Sequence, residues 1–141
     1  MSRPPVPPAL RVVHSITELG AQDAGCIAVS GSHGGLSAAR YAVAARPLLS
    51  VFNDAGIGKD DAGIAGLALL QLHRLAACTV SHHSARIGDA QSTLDDGVIQ
   101  HMNAEARALG IQAGERCATV VRRLLEGCGA IAGADLLRAR R

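Results

Sequence analysis

Three short apolar runs in this chain each end abruptly in a polar, glycine-containing segment, and this repeated transition constrains the fold more than any other feature. The polar segments are loop 1 (residues 30–35), loop 2 (residues 53–61) and loop 3 (residues 81–89). A short apolar run that stops at glycine and polar residues is typical of a buried strand. In an α/β sheet the loops that follow such strands lie at the carboxyl edge, where ligands bind. We therefore expect the three loops to meet at one site.

Helix-forming segments alternate with these strands. Four segments have the composition or spacing of strands: residues 11–16, 26–29, 48–52 and 77–80. Four others have that of helices: residues 36–45, 62–75, 97–109 and 115–127. Asp60 or Asp61 is expected to cap the second helix. Because a strand, a helix and a second strand form a right-handed parallel crossover, the sequence predicts a three-layer α/β/α fold. Its sheet is expected to be mostly parallel, with four or five strands and helices on both faces.

The chain has the length of one domain. Residues 1–10 contain four prolines and are expected to form a flexible arm, residues 11–128 a single α/β domain, and residues 129–141 a C-terminal helix or a frayed, arginine-rich tail. Hydrophobic residues make up 48% of the 141 residues but aromatic residues only 1%, so small side chains must build the core. Small side chains bury little apolar area each, and we therefore expect a homo-oligomer.

Composition also bears on compartment and partners. None of the 4 cysteines forms a C-x-x-C pair, and most lie in apolar runs, which indicates reduced, buried thiols in a cytoplasmic protein. The proline-rich start differs from a signal peptide, and no apolar run reaches the length of a membrane span. A net charge of +2 without aromatic residues between the basic ones argues against nucleic acid as a partner.

Loop 1 combines hydroxyl groups, an imidazole and glycine amides before a helix. Ser30, Ser32 and His33 supply side chains, and Gly34 and Gly35 leave the backbone accessible. Free amides at a helix N-terminus bind anions, so the loop is predicted to be an anion cradle. It lacks the G-x-G-x-x-G dinucleotide pattern and the G-x-S-x-G nucleophile pattern. The alternative is a glycine-rich turn that only allows close packing of strand and helix.

Loop 2 supplies a carboxylate at a strand end. Asp54 is the candidate catalytic or metal-binding group, and Asn53 and Lys59 are candidates for substrate binding. The alternatives are an Asx turn for Asp54 and a solvated side chain for Lys59. A phosphate-loop pattern would need a hydroxyl at Asp60, so ATP or GTP hydrolysis is not expected.

Loop 3 is richest in functional groups. Strand alternation would direct only one of His82 and His83 towards the site. Arg86 has the planar fork that holds a carboxylate or phosphate with two bonds, and Asp89 is placed to orient the arginine or a histidine. The alternative for Arg86 and Asp89 is an internal salt bridge that fixes the loop.

Two catalytic arrangements follow from these residues. In the first, Ser32 or Ser30 is a nucleophile, with a loop histidine as base and Asp54 or Asp89 as the orienting carboxylate. In the second, His33, Asp54 and one of the loop 3 histidines hold a divalent metal that activates water.

The sequence favours an enzyme that acts on a small anionic metabolite, by hydrolysis or addition at a carbonyl. Its candidate catalytic residues are Ser32, His33, Asp54 and His82. The alternatives are a non-catalytic protein that binds a small molecule or phosphate, and a subunit of a larger assembly.

Overall fold

One five-stranded sheet forms the centre of the molecule. The computed structural model describes residues 8–134, with side chains described through residue 127. The strands are β1 (Leu10–Val13), β2 (Ile27–His33), β3 (Leu49–Asn53), β4 (Ala76–Val80) and β5 (Ile99–Met102), and they lie in the sheet in that order. β1 to β4 pair in parallel, and β5 is antiparallel to β4. The predicted α/β class with a mostly parallel sheet is confirmed.

Within residues 8–134, five α-helices connect or follow the strands. They are α1 (Leu36–Ala45), α2 (Gly66–Leu72), α3 (Ala90–Asp96), α4 (Ala104–Ala108) and α5 (Cys117–Ala134). α1 ends at Arg46, which has a φ of 56° and donates its backbone N–H to the Ala42 carbonyl. Pro47 then prevents continuation of the helix, as the sequence predicted. Shorter 3-10 turns occupy Ile16–Glu18, Ala21–Asp23 and Lys59–Ile64.

Buried apolar residues form two clusters. One includes Ile27 and Val29 of β2 and residues of α5, and the other includes Ala28 of β2, Phe52 of β3 and residues of α1 and α2. Neighbouring strand residues point to opposite faces of a sheet, so each strand contributes to both clusters. This explains why the strands appear in the sequence as continuous apolar runs and not as alternating ones.

The strand order has a consequence for the site. Because the strands lie in sequential order and parallel crossovers are right-handed, α1 and α2 are placed on the same face of the sheet, where they pack together. Ligands in α/β proteins usually bind where the strand order reverses, and the sheet formed by residues 10–102 has no such reversal. The candidate site is instead built by the ends of the neighbouring strands β3 and β4.

The predicted helix over residues 97–109 is wrong: this segment forms β5, a turn and the short helix α4. Alanines after residue 103 favour helix, but Val98 and Ile99 are β-branched and favour strand. Asn103 separates the two elements, because its Oδ1 accepts the Ala106 N–H as the N-cap of α4. Its amide also donates to the Leu67 and Leu75 carbonyls, which joins α4 to α2 and β4.

Other element boundaries differ from the prediction. β2 continues through residues 30–33, so most of loop 1 is strand. Asp60 and Asp61 do not cap α2, because both have left-handed backbone conformations at a kink before the helix, and α2 begins later, at Gly66, without a side-chain cap. α5 continues without a break to Ala134, beyond the predicted end of the domain. Residues 1–7 of the predicted arm and residues 135–141 of the predicted tail lie outside the described residues.

The cysteine prediction holds for three of the thiols. Cys26, Cys78 and Cys117 are free and buried, and the side chain of Cys128 lies outside the described residues. In residues 8–134, no helix combines the length and the apolar character that a membrane span needs.

Candidate active site

Asp54 is a buried carboxylate at the end of β3. Its backbone N–H donates to the Val80 carbonyl at 2.9 Å, which fixes it beside the end of β4. Its side chain is 5% exposed, and Oδ1 accepts the backbone N–H groups of Gly56 at 2.8 Å and of His82 at 3.0 Å. The Asx turn considered from the sequence is therefore present. The same oxygen also faces the His82 ring, so Asp54 links loop 2 to loop 3.

His82 lies beside this carboxylate with its ring partly exposed. Its Nδ1 is 3.3 Å from Asp54 Oδ1, and 44% of the side chain is accessible to solvent. The ring packs over Gly56, where an added Cβ would lie 3.5 Å from it, and its centroid is 3.9 Å from that of His83. An aspartate beside Nδ1 favours the tautomer that carries its proton there and leaves Nε2 able to accept a proton. The pair thus places a buried carboxylate within ion-pair distance of a partly exposed imidazole.

Loop 2 holds Asp54 through an unusual backbone path. Four consecutive residues, Ala55 to Gly58, have positive φ values between 52° and 78°. Positive φ is a genuine outlier for a β-branched residue such as Ile57. The Ile57 backbone N–H donates to the Asp54 carbonyl at 2.6 Å. The loop therefore turns back at once on the strand end that carries the carboxylate.

A pocket of about 170 Å³ lies beside the pair. Its lining residues come from both loops and from β5: Asp54, Gly56, Ile57, Ser81, His82, His83, Gln100 and His101. Drug-sized ligands usually occupy about 300–1,000 Å³, so this pocket has room for the reacting group of a substrate and a few water molecules.

Both serines of loop 1 make structural hydrogen bonds. Ser30 is buried and donates its hydroxyl proton to the Val51 carbonyl at 2.8 Å. Ser32 Oγ accepts the Ile16 N–H at 2.9 Å. Among the hydrogen bonds of the described residues, neither hydroxyl is paired with a histidine, so the structure does not assemble the serine, histidine and aspartate arrangement.

The backbone of loop 1 is also largely engaged. Gly31 donates its N–H to the His14 backbone carbonyl, and Gly34 donates its N–H to the Asn53 backbone carbonyl, so these two amides do not face a ligand. A Cβ on Gly34 would lie 2.6 Å from the Gly63 carbonyl, and one on Gly35 would lie 2.5 Å from the exposed His33 ring. Close packing against the backbone is thus a sufficient reason for Gly34, whereas the exposed His33 ring can rotate away from a side chain at position 35.

Loop 3 is fixed by interactions within itself and with α3. Arg86 Nη1 lies 3.2 Å from Asp89 Oδ2, and the arginine side chain is 77% exposed. Asp89 caps α3 by accepting the Ser92 N–H at 3.0 Å. This N–H and then the Arg86 guanidinium hold the pKa of the Asp89 carboxyl below its usual range. The internal salt bridge considered from the sequence is therefore present.

The remaining candidates of loop 2 have different surroundings. Asn53 is buried, donates to the Ala85 carbonyl at 3.0 Å and accepts the Ala55 N–H at 2.7 Å, so its amide joins loop 2 to loop 3. Lys59 is exposed at the start of the 3-10 turn.

Metal and thiol chemistry have little support in the described part of the chain. No group of three or more His, Cys, Asp or Glu side chains there is arranged to hold a metal ion. Burial raises the pKa of the Cys117 thiol to about 12, and that of Cys78 is raised well above its usual value by the same cause. Both cysteines lie in the core, so neither is a nucleophile at this edge of the sheet.

The sequence analysis missed the contribution of β5. Gln100 and His101 line the pocket because His101 pairs with Thr79 of β4 in the antiparallel ladder. Val98 and Ile99 before them and the N-cap residue Asn103 after them were the available signals for a strand followed by a new helix.

The fold and the site define an α/β protein that carries a buried aspartate paired with a histidine at the carboxyl edge of its sheet. Comparison with protein-family models, curated proteins and solved structures gives no match for the chain.

Proposed function

We propose that this protein is an enzyme that acts on a small anionic metabolite by hydrolysis or addition of water at a carbonyl carbon. The observation that carries the proposal is the pairing of buried Asp54 with His82 beside a pocket of about 170 Å³. An oriented histidine with one free ring nitrogen is the commonest general base in enzymes.

In the proposed reaction, His82 Nε2 removes a proton from a water molecule while the water oxygen attacks the carbonyl carbon. Asp54 keeps the ring in position and stabilises the imidazolium that forms. In hydrolysis the bond from carbon to the leaving group then breaks, and His82 returns the proton to that group. In addition the proton is returned to the carbonyl oxygen instead.

Water replaces serine as the nucleophile in this scheme. Ser30 uses its proton in the bond to Val51, and Ser32 accepts from the Ile16 backbone. Neither hydroxyl is hydrogen-bonded to a base among the described residues, whereas activation of a serine requires one.

A second candidate is a protein that binds a small molecule without turnover. The observation that favours it is that most polar groups of loop 1 and loop 3 are hydrogen-bonded within the protein, as in the bond between Arg86 and Asp89. A protein of this kind would bind a small molecule but would not convert any compound in a panel of possible substrates.

We also propose that the protein self-associates in the cytoplasm. Leu72 is 81% exposed, and Tyr41 and Ile87 are about half exposed, and a core built of small side chains buries little apolar area, so association with another copy would add burial. The buried free thiols are consistent with a reducing compartment. Light scattering at several concentrations measures the association, and a monomer at every concentration would contradict it.

A hydrolysis assay tests the catalytic proposal. The panel consists of p-nitrophenyl esters and thioesters of short monocarboxylic and dicarboxylic acids, measured by release of the chromophore. His82→Gln is expected to lower the rate about 100- to 10,000-fold. His73→Gln is the matched control, because His73 is an exposed residue at the end of α2. Equal rates in the His82→Gln variant and the unmodified protein would exclude the proposal.

A further inference from the structure

A second cavity, larger and with an apolar wall, adjoins the pocket at His82. It has a volume of about 520 Å³ and lies between α2 and the edge strand β5, within the range of sites for small organic ligands. Its apolar wall includes Ile64, Ala68 and Met102. We call it the α2–β5 groove.

The groove and the pocket share lining residues. Gln100 and His101 line both, so one ligand can extend from His82 along β5. Since β5 runs antiparallel to β4, its C-terminal end lies at the edge of the sheet opposite His82. The three residue steps from Gln100 to Asn103 span roughly 10 Å at the rise of a strand.

Some polar side chains that line the groove are hydrogen-bonded to other parts of the described structure, and others are not. The amide groups of Gln71 and Asn103 are bonded to Glu105 and to backbone carbonyls. The side chains of Gln100, His101 and Arg107 make no hydrogen bond or salt bridge within the described residues. Arg107 is the only charged residue among the lining residues, and the Glu105 carboxylate lies 3.4 Å from the amide nitrogen of the lining residue Gln71. The groove therefore offers an apolar wall and one free cationic group.

From this arrangement we infer the substrate class, on the basis of the proposed function. The substrate is an elongated molecule with a carbonyl group at one end and a carboxylate or phosphate at the other, joined by an apolar chain. The carbonyl lies in the pocket beside His82, the chain lies along β5, and the distal anion pairs with Arg107. An Arg guanidinium is well suited to either anion because it donates two parallel hydrogen bonds.

Calorimetric titration tests the groove without requiring turnover. The probes are sodium octanoate, the uncharged octanamide, and sodium acetate, which lacks the chain. Octanoate is expected to bind, octanamide about tenfold more weakly, and acetate not measurably. Arg107→Gln is expected to reduce octanoate affinity to that of octanamide. The control Arg122→Gln, an exposed residue on α5, is expected to bind octanoate as the unmodified protein does.

A second variant distinguishes ligand binding in the groove from catalysis at His82. His82→Gln is expected to keep its octanoate affinity, because the groove binds the part of the ligand that does not react. If octanoate fails to bind the unmodified protein, or binds Arg107→Gln equally well, the inference is overturned while the proposed function is still judged by the His82→Gln rates. Loss of those rates with octanoate binding intact supports both, whereas unchanged rates with octanoate binding intact exclude the proposed function and the placement of the carbonyl beside His82, and support only the binding of the chain and the anion in the groove.

Discussion

His82 reaches Asp54 with both its backbone and its side chain. Its backbone N–H donates to Asp54 Oδ1 at 3.0 Å, and its ring Nδ1 lies 3.3 Å from the same oxygen. The backbone bond places the His82 backbone beside the carboxylate, and the partly exposed ring lies next to the same oxygen. One buried carboxylate thereby positions a histidine from the neighbouring strand end.

Asp54→Asn is expected to disturb the His82 tautomer while leaving the fold intact. The asparagine Oδ1 still accepts the Gly56 and His82 backbone N–H groups, but the negative charge beside the ring is lost. Side-chain ¹⁵N NMR at alkaline pH, where imidazoles are neutral, measures the two tautomers. We expect the Nδ1–H form to dominate in the unmodified protein and a mixture in the variant. The His73 signals serve as the control, and an unchanged His82 signal would contradict the orienting role of Asp54.

Asp89→Ala is expected to lower the melting temperature more than Arg86→Ala. Asp89 caps α3 through the Ser92 N–H, whereas Arg86 is mostly exposed and contributes only a surface ion pair. Differential scanning calorimetry of the two variants and the double variant measures the difference. If Arg86→Ala destabilised the protein as much as Asp89→Ala, the arginine would have a larger structural role than its exposure indicates.

Gly66→Ala is expected to destabilise the protein by about 1–3 kcal/mol, although alanine is the better helix former. A Cβ at Gly66 would lie 2.6 Å from the Gly35 carbonyl and 2.8 Å from the Ala39 side chain. Gly127 in α5 is the matched control, because no atom of the described residues lies within 4 Å of its added Cβ. Gly127→Ala is expected to stabilise by about 0.5–1 kcal/mol, and urea denaturation measures both. Stabilisation by both substitutions would show that α2 can move away from α1.

The ion pair of Glu115 with Arg123 is expected to make stability depend on acidic pH. The Arg123 hydrogen bond at 2.6 Å lowers the pKa of Glu115. Because the folded pKa lies below the unfolded value of about 4.3, the stabilisation is complete above that value and is lost as pH falls through the folded pKa. The unmodified protein is therefore expected to be more stable than Glu115→Gln at neutral pH, with the difference shrinking below about pH 4. Urea denaturation across this range measures it, and a difference independent of pH would contradict the assignment.

Much of the fold was predictable because its signals are local. The end of α1 before Pro47 and the strand runs before the three loops depend on residues close in sequence. The segment around Asn103 shows the limit, because alanine-rich propensity favoured one helix while cross-strand pairing with β4 requires a strand. Pairing between distant segments has no signal within a short window of sequence.

The candidate site was also predictable only in part. The sequence alone indicates polar residues at the strand ends, with Asp54 after one apolar run and His82 after the next. Only the tertiary structure decided that these two side chains face each other, that Ser30 and Ser32 serve backbone groups, and that Gln100 and His101 complete the pocket. The physical reason is that side-chain partners are set by strand register and by competition for hydrogen bonds, and both arise only when the strands pair.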